Sequence, residues 1–322
     1  MKDFIPFVSI APNYITTYEL CENKKSPRQD LSGLSIRHHD GFISETAAKR
    51  LKLAMDWLFY MTFNKMNVNW KKSFRKQFRL VFCTLTLPSK QIHSDNEIKS
   101  KCLNQFLIEA RKKFNIDHYI WRAEKQLNGN IHFHIVTDKF MHHAEIRKMW
   151  NRIVNKLHYV TNYQISQNEK FKNGIHRRNY KSNAEFNLAL SRYNKGKATN
   201  WSNPNSTDIH SIQKIQDLRA YIAKYMSKNE GETKKDEKSK IQGRIWFISE
   251  KLSKIKKAKE VVGSKISAEL NHLFDVIPEK IKKLEHCTVF SIDTCKLLQL
   301  GCKELYRIFS DYFIKWQTEL YP

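Results

Sequence analysis

Two histidines alternate with apolar residues in the segment GNIHFHIV, which runs from Gly129 to Val136. If this segment is a β-strand, successive side chains point to opposite faces, so His132 and His134 stand side by side on one face. Two neighbouring imidazoles can ligate a divalent metal ion. An isolated His-x-His pattern is more often a strand with one face in water, so the metal interpretation depends on other residues that complete the site.

A second candidate for chemistry is the segment AYIAKYMSK, which repeats tyrosine and lysine at helical spacing. One stripe of an α-helix carries Tyr221, Lys224, Tyr225 and Lys228. A phenol has a pKa of about 10, but it can attack a phosphodiester where cations stabilise the phenolate and a metal polarises the phosphate. The lysines supply those cations. Alternatively, the stripe is an ordinary surface in which lysine stems pack on tyrosine rings.

A third metal ligand is expected from the strand that precedes the histidines, and Glu124 is the candidate. Asn128 and Gly129 favour a tight hairpin turn between the two strands. A two-residue loop would turn the Glu124 carboxylate away from the histidines. A three-residue loop that also includes Asn130, with a bulge, pairs Glu124 with His134 and puts all three ligands on one side. The alternative for Glu124 is a solvated strand carboxylate.

Further residues are candidates for supporting the site or for contacting nucleic acid. Thr84 and Thr86 share one face of a predicted strand, and they either serve the site or reflect the β-propensity of threonine. Arg244 and Trp246 alternate on a later strand and either contact nucleic acid or pack. The adjacent pair His142–His143 diverges in any regular structure, so we assign it to the start of a helix and not to a metal.

The composition points to a nucleic-acid partner. Lysine and arginine number 57 against 32 acidic residues in 322, a formal net charge of +25, and 12% of the residues are aromatic. Positive charge mixed with stacking rings favours nucleic acid over a membrane surface. The six cysteines lack zinc or redox spacing, and no GxxxxGK[ST] loop occurs, so we expect reduced thiols and no ATP hydrolysis. No apolar run suits a transmembrane helix or a signal peptide, which predicts a cytoplasmic protein.

Hydrophobic periodicity predicts an α+β fold with antiparallel hairpins. Predicted helices cover residues 44–63, 95–114, 144–157 and 206 or 208 to 229, and predicted strands cover residues 78–87, 118–126, 129–136 and 244–249. Ser44 and either Ser206 or Asp208 are the expected helix caps. The polar stretch from Thr161 to Pro204 shows only weak strand signals. We therefore divide the chain into an irregular N-terminal arm (1–43), a central domain (44–252) and a C-terminal helical extension (253–322).

Three motifs, in their order and spacing, resemble those of the HUH endonuclease superfamily, specifically the two-tyrosine rolling-circle replication initiators of microvirus-type phages and related plasmids. CTLTLP, at Cys83 to Pro88, is similar to the first family motif, GNIHFHIV to the second, and YIAKYMSK to the third. PNSTDIHS and GRIWFIS resemble the segments before and after the tyrosine helix. The resemblance covers roughly residues 44–252 and leaves both ends without a counterpart.

The resemblance implies an antiparallel HUH-type sheet that carries the histidines, with the tyrosine helix packed alongside. It also implies that His132, His134 and Glu124 hold a divalent metal, Mg²⁺ or Mn²⁺. Mg²⁺ prefers oxygen ligands, so two imidazoles suit Mn²⁺ somewhat better.

For the tyrosines, the resemblance implies nicking of single-stranded origin DNA. Tyr221 would attack the scissile phosphate, leaving a 5′-phosphotyrosine and a free 3′-hydroxyl that primes replication. Tyr225 would make the second cleavage, while Lys224 and Lys228 would neutralise phosphate or phenolate charge. Rejoining would need no nucleotide cofactor, because the phosphotyrosine retains the free energy of the phosphodiester.

A host helicase and a polymerase are expected as partners, since the chain carries no motor motif of its own. Two alternatives stay open. One is a non-catalytic, basic nucleic-acid-binding protein. The other is a relaxase or transposase of the same superfamily, although a transposase has one tyrosine and a relaxase usually places its tyrosine before the histidine motif.

Overall fold

The computed structural model describes residues 4–21, 43–67, 80–211 and 240–320. These residues group into two compact units. The first unit contains residues 4–21, 52–63 and 250–320, and the second contains residues 43–51, 64–67, 80–211 and 240–249. Each unit combines helices with a five-stranded antiparallel sheet, which confirms the α+β class. In these described ranges, no helix has both the length and the apolarity needed to cross a bilayer.

The sheet of the second unit carries the histidine motif on its central strand. In spatial order its strands are β6 (Thr207–Ser211), β3 (Val81–Leu85), β5 (Ile131–Thr137), β4 (Tyr119–Lys125) and β7 (Trp246–Ile248). All neighbouring strands are antiparallel. Apolar, β-branched and aromatic residues dominate its inner strands, as expected for a sheet that is largely buried. The four strands predicted in this part of the chain are confirmed, with shorter bounds.

Helices cover the face of this sheet that lies opposite the histidines. One helical run comprises α2 (Asp95–Ile98), a π-helical turn (Lys99–Leu103) and α3 (Asn104–Phe114), and it is joined by α4 (His143–Val154). Trp150 of α4 packs edge-on against Phe106 and Phe133. Because Phe133 alternates with the two histidines along β5, the helices and the imidazoles occupy opposite faces. The helices predicted at 95–114 and 144–157 are confirmed.

Two predictions for residues 161–211 are wrong. The stretch from Thr161 to Pro204 is mainly helical, with α5 (Tyr159–Lys170) and α6 (Asn183–Ala198). No residue of α6 is buried, so its sequence lacks an apolar stripe that would have indicated a helix. Ser206 and Asp208 do not cap a helix, because residues 207–211 form the edge strand β6. The rest of the helix predicted to residue 229 lies outside the described residues.

The sheet of the first unit joins the two ends of the chain. In spatial order its strands are β8 (Ala258–Val261), β1 (Phe4–Ala11), β2 (Tyr14–Cys21), β10 (Cys287–Phe290) and β9 (Ile281–Lys283). The predictions of an irregular arm over residues 1–43 and of a helical extension over residues 253–322 are therefore wrong at these strands. The pairing joins segments that are far apart in sequence, and such pairing leaves no local signal.

Aromatic rings form much of the helical core of the first unit. Its helices include the middle of α1 (Glu45–Asn67), α7 (Glu250–Lys254), α8 (Ser264–Val276) and α9 (Lys303–Leu320). Trp57 of α1 stacks on Phe309 and Phe313 of α9, with ring centroids 5.4 and 5.8 Å apart. The start of α1 confirms the predicted cap, since the Ala47 amide donates to Ser44 Oγ at 3.2 Å.

A buried polar network ties the histidine hairpin to the start of α2. Asp95, which is 3% exposed, pairs with Lys125 of β4 at 2.6 Å. It also accepts a hydrogen bond from Gln91 Nε2 at 2.7 Å. Gln91 in turn accepts one from the Ile131 amide of β5 at 2.6 Å. Asp95 therefore supports both strands of the hairpin.

We expect Asp95→Ala to lower the free energy of unfolding by roughly 3–5 kcal/mol, because the Lys125 ammonium would remain buried without its partner. Urea denaturation followed by circular dichroism measures this. The matched control is Glu97→Ala on the same short helix, where the pair with Lys101 is largely exposed. The control should change the free energy by less than about 1 kcal/mol. Equal effects of the two substitutions would contradict the structural role of Asp95.

Candidate metal centre

The loop between β4 and β5 differs from the predicted one. It consists of Leu127–Gly129, because the Gln126 amide donates to the Asn130 carbonyl at 2.8 Å and closes the loop. Gly129 has a φ of +82°, a left-handed conformation that glycine adopts without strain. The Asn130 amide donates to the Asn128 side chain at 3.0 Å. Asn130 is therefore a paired residue and not part of the loop.

This loop sets the register that decides where Glu124 points. Glu124 pairs with His132, and Arg122 pairs with His134. The predicted pairing of Glu124 with His134 is wrong by two residues. Since side chains alternate with a period of two, a shift of two residues keeps the same face. Glu124 therefore lies on the side of the histidines.

Three potential ligand atoms meet on this face. Oε1 of Glu124 lies 2.6 Å from Nε2 of His132 and 2.7 Å from Nε2 of His134. All three atoms lie within 4.8 Å of one another. The side chains are 17%, 13% and 7% exposed, respectively, so the cluster is sheltered but open to solvent. Two imidazole nitrogens and a carboxylate oxygen are a donor set suited to a divalent cation.

Neighbouring side chains hold the cluster in place. Thr84 pairs with His134 across β3 and β5, and its Oγ1 lies within hydrogen-bond distance of Nδ1, at 3.1 Å. This contact leaves Nε2 of the same ring directed at Glu124. Phe82 stacks on the His134 ring at 5.3 Å. On the other side, the buried Arg122 guanidinium lies 4.0 Å from Oε2 of Glu124.

The environment holds the cluster in the protonation state that metal binding needs. Burial raises the pKa of the Glu124 carboxyl, but the hydrogen bonds from His132 and His134 outweigh it, and the net pKa lies well below the usual range. Burial lowers the pKa of His134, against the opposing effect of Glu124. At neutral pH the carboxylate is therefore ionised and His134 is neutral.

One row across the sheet contains two charged residues that sequence analysis did not assign to the site. The row reads Asp208, Thr84, His134, Arg122 and Trp246, from β6 to β7. Arg122 could have been found by alternation, because it lies two residues before Glu124 on the same strand. Asp208 gave no such signal, since only its pairing with Thr84 places it on this face.

The structure separates the remaining candidates in the described residues. Trp246 lies in the row with Arg122, half-buried, with the Arg50 guanidinium 5.7 Å from its ring. Arg244 is exposed and lies against the Phe247 ring at 5.5 Å. The Thr86 hydroxyl donates to the Ser206 carbonyl at 3.0 Å, so it does not share the role of Thr84. His142 and His143 start α4, as predicted.

The proposed nucleophilic helix cannot be compared with this geometry. Tyr221, Lys224, Tyr225 and Lys228 all lie outside the described residues. Their approach to the cluster therefore stays a prediction.

Residues 80–230 match a family model of replication-associated proteins, the ORF2 family. The matched residues include both the histidine–glutamate cluster and the tyrosine–lysine segment. Neither the curated proteins nor the solved structures compared with the chain gave a match. Over residues 80–230 the chain is thus similar to replication-associated proteins, which supports a rolling-circle replication initiator family and a role in DNA replication.

Proposed function

We propose that this protein is an HUH-type replication initiator that nicks single-stranded origin DNA by metal-assisted attack of a tyrosine and then rejoins the strands. The observation that carries the proposal is the convergence of Glu124, His132 and His134 on one face of the central sheet, with ligand atoms within 4.8 Å of one another. The family match over residues 80–230 supports the same class of protein.

The cluster fits a divalent metal by its donor chemistry. Glu124 is ionised, His134 is neutral, and Thr84 keeps the His134 ring oriented. Glu124, His134 and His132 would hold the ion. When bound, it would act as a Lewis acid on the scissile phosphate. Mn²⁺ suits the two imidazoles better than Mg²⁺, which prefers an oxygen shell.

Tyr221 is the proposed nucleophile. Its phenol loses a proton to solvent, its oxygen bonds to phosphorus, and the bond from phosphorus to the 3′ oxygen breaks. That oxygen takes up a proton and becomes the 3′-hydroxyl that primes replication, while a 5′-phosphotyrosine remains. Lys224 and Lys228 neutralise the phosphate or phenolate charge, and Tyr225 makes the second cleavage that ends a round.

The reaction also defines the expected partners and compartment. Nicking provides a primer but does not unwind DNA, so a host helicase and a polymerase are proposed to act at the nicked origin. Both act in the cytoplasm of a bacterial host, where a phage or plasmid initiator would work.

Wild-type protein incubated with labelled single strands that span a candidate origin should form an adduct that survives denaturation when Mn²⁺ is present, and none with chelator. Tyr221→Phe combined with Tyr225→Phe should abolish the adduct and leave DNA binding intact, because only the phenol oxygens are removed. Denaturing gels detect the adduct, and fluorescence anisotropy measures binding.

Tyr180→Phe is the control for this experiment, because Tyr180 lies between α5 and α6, outside both motifs. It should leave adduct formation unchanged. Binding without any adduct from the wild-type protein would instead identify a non-catalytic nucleic-acid-binding protein.

Thr84→Val should weaken Mn²⁺ binding by roughly 10- to 100-fold, because the His134 ring loses the hydrogen bond that orients it. Isothermal titration calorimetry on the full chain measures the affinity. Thr86→Val is the matched control: the same change on the same segment removes a hydroxyl bonded to the Ser206 carbonyl, and Mn²⁺ affinity should stay the same. A similar affinity for both variants would argue against ion binding at His134.

A further inference from the structure

A basic groove lies on the helical side of the second unit. It is formed by α4, the start of α5 and residues 202–203, and encloses about 480 Å³. The ionisable side chains that line it are His143, Arg147, Lys148 and Arg152. No carboxylate is among the described residues that line the groove, so its potential is positive throughout.

The groove is built on the outer side of an amphipathic helix. Ile146, Trp150 and Ile153 are buried on the inner side of α4, where Trp150 packs against Phe133. The basic residues lie on the other side of α4. Because Phe133 and the histidines point to opposite faces of the sheet, the groove and the candidate metal centre also lie on opposite faces. The groove is therefore not an extension of that centre.

Hydrogen bonds hold the floor of the groove in shape. The side-chain amide of Asn151 donates to Oδ1 of Asn203 at 3.2 Å and to the Pro204 carbonyl at 3.0 Å. Oδ1 of Asn151 accepts from the Ser206 hydroxyl at 2.5 Å. Asn155 accepts from the Thr161 amide at 2.9 Å. The groove is thus preformed, which lowers the entropic cost of binding a ligand.

Two of the four basic side chains are available to a ligand. Arg152 pairs with Glu109. Arg147 is half-buried, and its Nε is enclosed without a hydrogen-bond partner among the described residues. Lys148 is exposed. Enclosed guanidinium groups without an acceptor are costly, and a phosphate oxygen would satisfy this one.

The segment beside the groove extends its positive charge. Residues 159–203 contain eight lysines and arginines but only two glutamates and no aspartate. A single small anion would need no such extended surface, whereas a polyanion would gain from it.

We propose that this groove binds phosphates of a nucleic-acid backbone at a second contact, separate from the metal centre. No phenylalanine, tyrosine or tryptophan is among the described residues that line it, so the contact is made to phosphates and not by base stacking. The choice of nucleic acid among polyanions rests on the proposed function.

The test measures DNA binding by Arg147→Gln combined with Lys148→Gln, with chelator present so that no strand is cut. Anisotropy titrations across a range of salt concentrations use a labelled single strand and the matching duplex. The double variant should bind roughly tenfold more weakly. The slope of log affinity against log salt should fall by about 0.9 per lost phosphate contact on duplex and about 0.7 on single strands. Comparing the two slopes shows which form the groove holds.

The control is Lys265→Gln combined with Lys296→Gln, two exposed lysines of the first unit, which remove the same charge. This variant should keep the wild-type slope within error. Equal losses in both double variants, or no loss in the groove variant, would overturn the proposal. Lys148→Gln alone and Arg147→Lys provide milder versions, and thermal melting confirms folding. A protein that never nicks but shows the altered slope would refute the proposed function and keep the groove.

Discussion

Glu124 reaches the two histidines only because β4 and β5 pair in one register. A slip of one residue would turn its carboxylate to the helical face, and the three donors would not meet. Gly129 makes the required loop possible through its positive φ. The register is also held from outside the hairpin, because Gln91 bonds the Ile131 amide. The side chain of Asn130 accepts from the Gln91 amide at 2.8 Å and donates to the Ser89 carbonyl at 2.8 Å. The position of the carboxylate therefore depends on contacts from outside the hairpin as well as on its loop.

The electrostatics of the centre follow from that register. A carboxylate sheltered from water is costly unless partners compensate for the lost hydration. Glu124 has two imidazole partners and, slightly farther away, the Arg122 guanidinium. The same burial that would disfavour its charge also favours neutral His134. A negative group and a neutral imidazole thus coexist at neutral pH on one sheet face, which is what ligands for a cation require.

Alternation and helical periodicity were sufficient to predict the elements that carry strong local patterns. The strands around residues 81–85, 119–125 and 131–137 fall within predicted limits to within a residue, and so do the helices from Asp95 and from His143. The histidine face and the choice of Glu124 also follow from local alternation. The loop register does not, because Asn128 and Gly129 are compatible with more than one hairpin, and the choice depends on hydrogen bonds to Asn130.

Other features were hidden because they depend on distant residues. β6 occupies residues that resemble a helix start, since the edge of the sheet offers Asp208 a partner in Thr84. The ends of the chain pair in one sheet, which no window of sequence shows. α6 has no buried residue and so no apolar stripe. In each case tertiary pairing or solvent exposure removes the pattern on which sequence reasoning relies.

Helix α4 connects the two sides of the central sheet. On its inner side, Trp150 packs against Phe133, and its Nε1 donates to the Thr86 carbonyl at 2.7 Å. It therefore braces β3 and β5, the strands that carry Thr84 and the histidines, while its outer side lines the basic groove. Asn151 on that outer side bonds Ser206, the residue before β6. A backbone bound in the groove thus lies next to the edge strand whose Asp208 pairs with Thr84, so the shortest path from groove to centre passes over β6.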